Sequence, residues 1–498
     1  MRADDLLTGI ASAILMILAG CLATLATRNH RSTRRLQLTL LLTAFAIRFF
    51  MSILLYQCGL NSQIVGTGDD SGWMLGVAIM SKWDSEGLGI LDWPVALLGA
   101  FEGHHLGYGY LLAVYYSLTG LVSALSAAAI DCICGALTVV FAYRTARLLF
   151  SEWVATRVGW WVCFFPLMII WSAQTIKEPI IIMLEGAALY GCLSIRAYGF
   201  SIRSIFLSIL SVALLLTLRF YAAYITGAAV LVALALPQLK KKRLSWGAGL
   251  VVVALVLPVL TGTGASSRHA DTFSEWDVQR VSKFRKDIAV GTGSGVESSF
   301  DMTTTRGLGL ATLDGAIHLL LAPFPWEMRL GSLRMILTTP ELIFWWILFV
   351  RGVIPGLMLA VRQRLGDVLP VLLFLFGLGV IYSLTFGNIG VVYRQRAQLM
   401  PYLLMFGAYG LEHRRMRHGA GKSPPVAALQ EPNRQGASIT AAVPVLPRPA
   451  RHIEYTWPVS EADGRARTPG PKTSRSIIKS ESPPGPPQAG PSSDFPRR

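Results

Sequence analysis

Charge is scarce in this sequence. Of 498 residues only 15% are charged, against 53% apolar, whereas a soluble domain carries about a quarter charged residues. That deficit argues against an ordinary soluble enzyme. Cysteine is also sparse: six occur, none at a zinc-ligand spacing, and Cys132-x-Cys134 falls one residue short of a redox pair. A zinc site and a disulfide framework are therefore not expected. No internal repeat shows, which weakens a transporter built from inverted repeats. The start lacks the basic run of a secretory signal, since Arg2 faces Asp4 and Asp5. Although Leu18-Ala19-Gly20-Cys21 has the look of a lipoprotein cleavage box, the first apolar run reads as an uncleaved helix.

What the chain does have is long apolar runs. A membrane-spanning helix needs about 20 such residues, and Leu6–Thr27, Leu36–Tyr56, Leu244–Leu260, Leu342–Val361 and Val368–Tyr382 approach or exceed that. The net charge of +16 sits in short clusters between runs: Arg28–Arg35, Arg144–Arg157, Lys240–Arg243, Arg362–Arg364 and Arg414–Arg417. Clusters so placed mark cytoplasmic loops rather than a nucleic-acid surface. The expected fold is an all-α, polytopic transmembrane helical bundle of about 10–12 spans.

Placing the basic clusters in the cytoplasm orients the rest. Helices over 6–26 and 36–57 lead to a first outer loop, 60–105. The stretch 106–150 is too long for one helix, yet must cross an odd number of times, so one segment is expected to be re-entrant or interfacial. Paired helices follow at 158–175 with 178–195, turning outside at Gln174–Glu178, and at 204–218 with 222–237, turning at Arg219-Phe220-Tyr221. A helix at 244–262 then leads to a large outer region, 263–338. Its segment Thr312–Leu337 is expected to lie on or dip into the outer leaflet. Helices at 340–361, 366–385 and 397–412 complete a membrane domain spanning 1–417, with Gly387–Arg396 outside between the last two. Residues 418–498 hold 15 of the 26 prolines and no long apolar run. Such a segment buries too little surface to offset its ordering entropy, so a disordered, basic cytoplasmic tail is expected.

Four polar features fall on the outer side under this orientation: Asp69-Asp70, Lys177-Glu178, Arg219 and Tyr393-Arg394-Gln395-Arg396. Asp69 and Asp70 lie in a turn-forming run, Gly66–Trp73. Adjacent carboxylates there suit a general base on a hydroxyl or a divalent cation; they equally suit an Asx turn or helix cap. Outer loops are normally poor in arginine. Arg219, Arg394 and Arg396 thus fit a bidentate phosphate site, or simple contact with lipid head groups. Lys177 and Glu178 fit the same site or a mutual ion pair. Arg48, Asp131, Glu185 and Arg351 are the few ionisable residues within apolar runs, where transport pathways place theirs.

The layout resembles the membrane-embedded C-type glycosyltransferases that use polyprenyl-phosphate sugars, including bacterial relatives of the protein mannosyltransferases. Asp69-Asp70 occupies the place of that group's acidic residues in the first large outer loop. Gly107–Leu112, Tyr143–Phe150 with Pro166, and Tyr393–Pro401 resemble later runs of the family. Departures occur at His104-His105-Leu106, where relatives carry Pro-Pro, and at Lys177-Glu178, where relatives often carry Asp. The resemblance implies an inverting transferase of a bacterial inner membrane. Its donor would be a polyprenyl-phosphate-linked sugar; its acceptor a lipid-linked glycan, lipid or protein. Asp69 or Asp70 would act as the base, with or without a divalent metal. Arg219, Arg394, Arg396 and Lys177 would hold the donor phosphate, with Glu178 and Tyr393 as further site residues. A polysaccharide polymerase or ligase, and a lipid or solute transporter, are the other readings.

Overall fold

The computed structural model describes residues 3–26, 33–60, 72–101, 106–199, 201–235, 277–290, 295–296, 300–327 and 333–420. Asp69-Asp70, the helix expected at 244–262 and the tail from 421 onward lie outside the described residues. So does most of the polar stretch before 277.

The described chain is helical. In order the helices are α1 (Ala3–Ala26), α2 (Arg34–Gln57), α3 (Gly72–Ser85), α4 (Trp93–Ala96), α5 (Gly107–Thr119), α6 (Ala124–Leu149), α7 (Glu152–Phe164) and α8 (Pro166–Ser172). They continue as α9 (Glu178–Tyr198), α10 (Ile202–Leu218), α11 (Phe220–Ala235), α12 (Val278–Ala289), α13 (Thr305–Leu321), α14 (Leu333–Leu348), α15 (Ile354–Leu384) and α16 (Ile389–Ala420). Among the described residues five segments are long and apolar enough to cross a membrane, six if the bent pair α7–α8 counts as one span, and α10 and α11 are shorter apolar helices.

One of those five segments, Thr339–Leu384, holds two antiparallel arms. Before Arg364, Glu341 meets Tyr393 while Gly352 and Gly356 meet Gly407 and Gly410, so this arm runs parallel to α16. After Arg364, Phe374 packs on Tyr402 and Tyr382 lies against Gln398, so that arm runs antiparallel. The chain reverses at Arg364, whose φ of −141° and ψ of 27° break the helix. This gives the hairpin expected from the basic cluster Arg362–Arg364.

α6 forms the centre, with nearly every side chain from Leu125 to Ala146 buried against α1, α2, α7 and α9. Its small residues permit this closeness: a Cβ on Gly135 would stand 2.6 Å from the Ser172 Cβ. The outer rows of the bundle carry exposed apolar side chains, such as Leu18 and Leu22 on α1, Phe206 on α10, and Ile343, Ile347 and Val350 around α14. In an aqueous fold that surface would aggregate; in a bilayer it is the lipid face.

The two ends of the bundle differ. At the basic end Arg144 donates to Gln37 Oε1 (2.7 Å) and the Thr24 carbonyl (2.8 Å), tying the ends of α6, α1 and α2 together. Arg364 reaches the Leu149 carbonyl. Arg196 donates to the carbonyls of Ala233 and Gly366, at 3.0 Å each. The opposite end holds the start of α1, where Thr8 meets Ser123 at 2.9 Å, and the end of α2, where Tyr56 meets the Thr175 N–H at 3.2 Å.

α5 settles the stretch 106–150. Gly107 abuts Thr217 at the end of α10, while Tyr115 donates to Ser12 near the start of α1 (2.5 Å). Both contacts belong to the end opposite the basic one. α5 therefore lies across that end, and α6 alone makes the crossing, capped by Ser123 Oγ accepting the Ser126 N–H at 3.1 Å.

Three segments depart from the sequence reading. The expected 158–175 span is two helices, α7 and α8, bent by 53°. Pro166 lacks the N–H that would continue the ladder, so the break exposes carbonyls on one side and amides on the other. Arg48 donates to the Val162 and Cys163 carbonyls at 3.1 Å each, and Glu341 Oε2 accepts the Leu167 N–H at 2.8 Å. Each half-helix end thus finds a hydrogen-bond partner for its freed backbone groups, which a break at membrane depth requires. Secondly, α12 and α13 occupy parts of 263–338, which the sequence presented as a loop with an interfacial segment starting at Thr312. Thirdly, α16 begins at Ile389 rather than at 397, because Asn388 Oδ1 accepts the N–H groups of Gly390 (2.7 Å) and Val391 (3.3 Å) as an N-cap. Tyr393, Arg394 and Arg396 therefore sit within a helix instead of a preceding loop.

Candidate active site

The turn between α8 and α9 starts the site. Pro179 follows Glu178 in the first turn of α9, and Glu178 lies at the positive end of that helix. Arg219 sits in the tight connection from α10 to α11 and points back at α9. Its Nη2 donates to Glu178 Oε1 at 2.9 Å, and Nη1 donates to the Tyr382 hydroxyl at 3.3 Å. Arg394, from α16, brings its Nε to 3.4 Å from the same Glu178 oxygen.

Three elements far apart in sequence therefore converge on one carboxylate. Glu178 is 2% exposed and Arg219 6%, while Lys177 and Arg394 are partly buried at the edge of the cluster. Aromatic rings wall the cluster: Trp171 lies 6.0 Å from the Arg394 guanidinium, Tyr221 lies 5.7 Å from that of Arg219, and Tyr221 packs edge-on against Tyr382. The buried Nε of Arg219 has no hydrogen-bond partner among the described residues.

Gly72, the first described residue after Asp69-Asp70, packs beside this cluster. A Cβ there would fall 2.6 Å from the Thr175 carbonyl oxygen and 2.9 Å from the Tyr108 ring. Only glycine allows so close an approach. Tyr108 in turn donates to Asp131 Oδ2 at 2.7 Å, fixing α5 to α6.

Arg396 lies elsewhere. It is 1% exposed, stacked 5.3 Å from the Tyr393 ring, and donates to the carbonyls of Leu319 (2.7 Å), His318 (3.3 Å) and Ala322 at the end of α13. Its cation caps a helix C-terminus. The four features that share one end in the sequence reading thus separate here. Glu178, Arg219 and Arg394 meet, Lys177 borders them, Arg396 and Tyr393 pack behind, and the acidic pair lies outside the described residues.

The ionisable residues within apolar runs also find places. Arg48 caps α7, Asp131 holds Tyr108, and Arg351 lies exposed in the π-turn Phe349–Val353 between α14 and α15. Glu341, Tyr382 and Gln398 escaped the sequence reading. A carboxylate after Pro340 at the edge of an apolar run was the only available signal for Glu341; Tyr382 and Gln398 had none.

Further along this end, Arg285 of α12 reaches the Ala311 carbonyl at 3.2 Å and lies 3.9 Å from Asp314. Burial lowers its pKa and Asp314 counters that effect. His318 stands between Asp314 (3.2 Å) and Glu327 (3.1 Å). Among the described residues no group of three or more His, Cys, Asp or Glu side chains could hold a metal ion.

No curated protein and no solved structure matches the chain. Residues 104–261 match the family model described as dolichyl-phosphate-mannose-protein mannosyltransferase. That stretch includes α5 to α11 with Lys177, Glu178 and Arg219, and excludes Asp69-Asp70, Arg394 and Arg396. Over that stretch, about a third of the chain, the helical membrane protein is similar to the dolichyl-phosphate-mannose-protein mannosyltransferases, and the match supports a membrane glycosyltransferase.

Proposed function

We propose that the protein transfers a sugar, with inversion, from a polyprenyl-phosphate donor to a hydroxyl of a lipid-linked glycan, lipid or protein at the outer face of a bacterial inner membrane. The observation that carries this reading is the pair of guanidinium groups, Arg219 and Arg394, focused on one spot beside a partly buried Lys177. Arg219 keeps an unpartnered buried N–H. Planar forks match phosphate oxygens bidentately, and the spot lies at the bundle end where a lipid phosphate sits. The basic clusters at the other end support an outer position for this one.

In the reaction, Asp69 or Asp70 takes the proton of the acceptor hydroxyl. The acceptor oxygen attacks the anomeric carbon from the face opposite the phosphate. The bond from that carbon to the phosphate oxygen breaks, and its electron pair leaves with polyprenyl phosphate. Arg219, Arg394 and Lys177 stabilise the charge that develops there. Arg396 and Tyr393 keep the first turns of α16, and with them Arg394, in place. Asp69 and Asp70, two adjacent hard oxygen donors, are also the residues that would hold a divalent cation. The packing of Gly72 against Thr175, two residues past Asp70, supports a place for the pair near the cluster.

The test is transfer of labelled sugar from a polyprenyl-phosphate donor in membranes at matched protein levels. Asp69→Asn or Asp70→Asn should cost about 10²–10⁴ in turnover, the usual worth of a positioned acid–base group. Arg394→Lys keeps the charge and loses the fork, and should weaken donor use. Full activity in both Asp variants with loss in the Arg variant would favour a polymerase acting on lipid-linked glycans. Full activity in all three would remove the proposed site.

A further inference from the structure

Glu185 lies seven residues, about 10 Å, below Glu178 on the same face of α9. It is 0% exposed. A carboxyl group so deep in a membrane bundle is costly unless it has a task, and among the described residues neither capping nor a direct ion pair accounts for it. Gln398 of α16, also 0% exposed, stands between it and the site. With the amide oriented by its neighbours, Gln398 Nε2 donates to Glu185 Oε1 at 3.0 Å, and its Oε1 accepts from Arg219 Nη1. The Tyr382 hydroxyl lies alongside and accepts a second bond from Arg219 Nη1 at 3.3 Å.

We infer that Glu185 is a positioning residue of the site: it fixes the Gln398 amide, and the amide fixes the plane of the Arg219 guanidinium. The inference rests on the proposed phosphate-binding role of Arg219. A guanidinium has two edges through which it grips. Glu178 takes one bond at Nη2, and Gln398 with Tyr382 takes Nη1 from beneath. That leaves Nε–H and the second Nη2–H as the donors for a ligand oxygen. Without the anchor below, Arg219 is free to swing onto Glu178 with both Nη groups and turn Nε–H away. The amide of Gln398 is ambivalent and could present either atom to Arg219. The carbonyl-type acceptor beneath it, Glu185 Oε1, takes the amide nitrogen and so holds the oxygen toward Arg219.

The geometry separates a positioning role from a packing one through two substitutions. Glu185→Leu is apolar and close in size, so in a membrane core it should preserve or improve folding, while freeing the Gln398 amide. Glu185→Gln offers a carbonyl oxygen to Gln398 and keeps the anchor. The probe is farnesyl phosphate, titrated against the full chain in detergent, beside donor KM and kcat in the transfer assay. The expected result is a rise of about 10–100-fold in both the farnesyl phosphate Kd and the donor KM for Glu185→Leu, the range typical of groups that orient a binding residue. Glu185→Gln should stay within about threefold of the parent. Gln398→Leu should match Glu185→Leu, and the double variant should add little to either alone. Equal farnesyl phosphate binding by parent and Glu185→Leu, both folded, overturns the inference and leaves the phosphate site standing. Failure of the parent chain to bind farnesyl phosphate overturns the site and the inference together.

Discussion

The Glu178–Arg219 pair offers the most searching physical test. Both groups are almost wholly buried and the contact is 2.9 Å. Removing one partner of such a pair leaves an uncompensated charge, at a cost of about 3–5 kcal/mol. Replacing both by apolar residues is commonly neutral or better. Glu178→Leu should therefore shift the unfolding equilibrium by roughly two to three and a half powers of ten, at about 1.4 kcal/mol per tenfold. Glu178→Leu/Arg219→Leu should regain most of that stability, because the remaining Arg394 side chain is 21% exposed and keeps access to water. Tyrosine and glutamine dipoles around Arg219 soften the single loss but do not replace a carboxylate. Equilibrium unfolding in mixed micelles titrated with denaturing detergent, followed by tryptophan fluorescence, reads both variants. The double variant should be stable yet inactive in sugar transfer, which splits folding from function at one site. A double variant no more stable than Glu178→Leu would refute the coupling. So would a single variant within about 1 kcal/mol of the parent, since exposed pairs are worth that little.

Other expectations follow from the same structure. Glu341→Ala strips the acceptor from the Leu167 N–H and should cost about 1–3 kcal/mol, whereas Glu341→Gln should cost much less; the same unfolding assay checks this. Reporter fusions should place residue 280 outside and residue 430 inside, and finding both on one side would sink the orientation. Truncation after Gly421 should leave insertion and transfer largely intact, judged by membrane yield and turnover, because the proline-rich remainder has little apolar surface to bury.

Periodicity and charge made the long spans legible, since lipid demands runs of apolar residues and cytoplasmic loops collect arginine. The reversal at Arg364 and the turn at Arg219 were readable for that reason. The site was legible only as a shared end. Lys177-Glu178, Arg219 and Arg394 could be assigned to one face by counting crossings. That Glu178 receives both guanidinium groups depends on how α9, α11 and α16 pack, and the sequence carries no signal of it. Arg396 shows the limit from the other side. It is two residues from Arg394, so it turns about 200° around the helix and meets the carbonyls of α13 instead. The start of α16 was available in principle, because Asn388 before a helical run is a capping signal. The caps of the broken span were not, because Glu341 and Leu167 are 174 residues apart.

That separation has a consequence for how the chain is made. Arg48 is synthesised 114 residues before the Val162 carbonyl that receives its Nη2. During that interval α2 must sit in or beside the bilayer with a guanidinium that has no α7 to cap. On insertion scales a central arginine costs about 2.5–3.5 kcal/mol, and each leucine or phenylalanine returns about 0.3–0.6 kcal/mol. The leucines and phenylalanines of α2, from Leu36 to Leu55, therefore do more than pack. They let the helix enter the membrane unaided while its arginine waits. Thinning that apolar set should show up as failed insertion of α2 during biogenesis, before any defect in the finished bundle could arise.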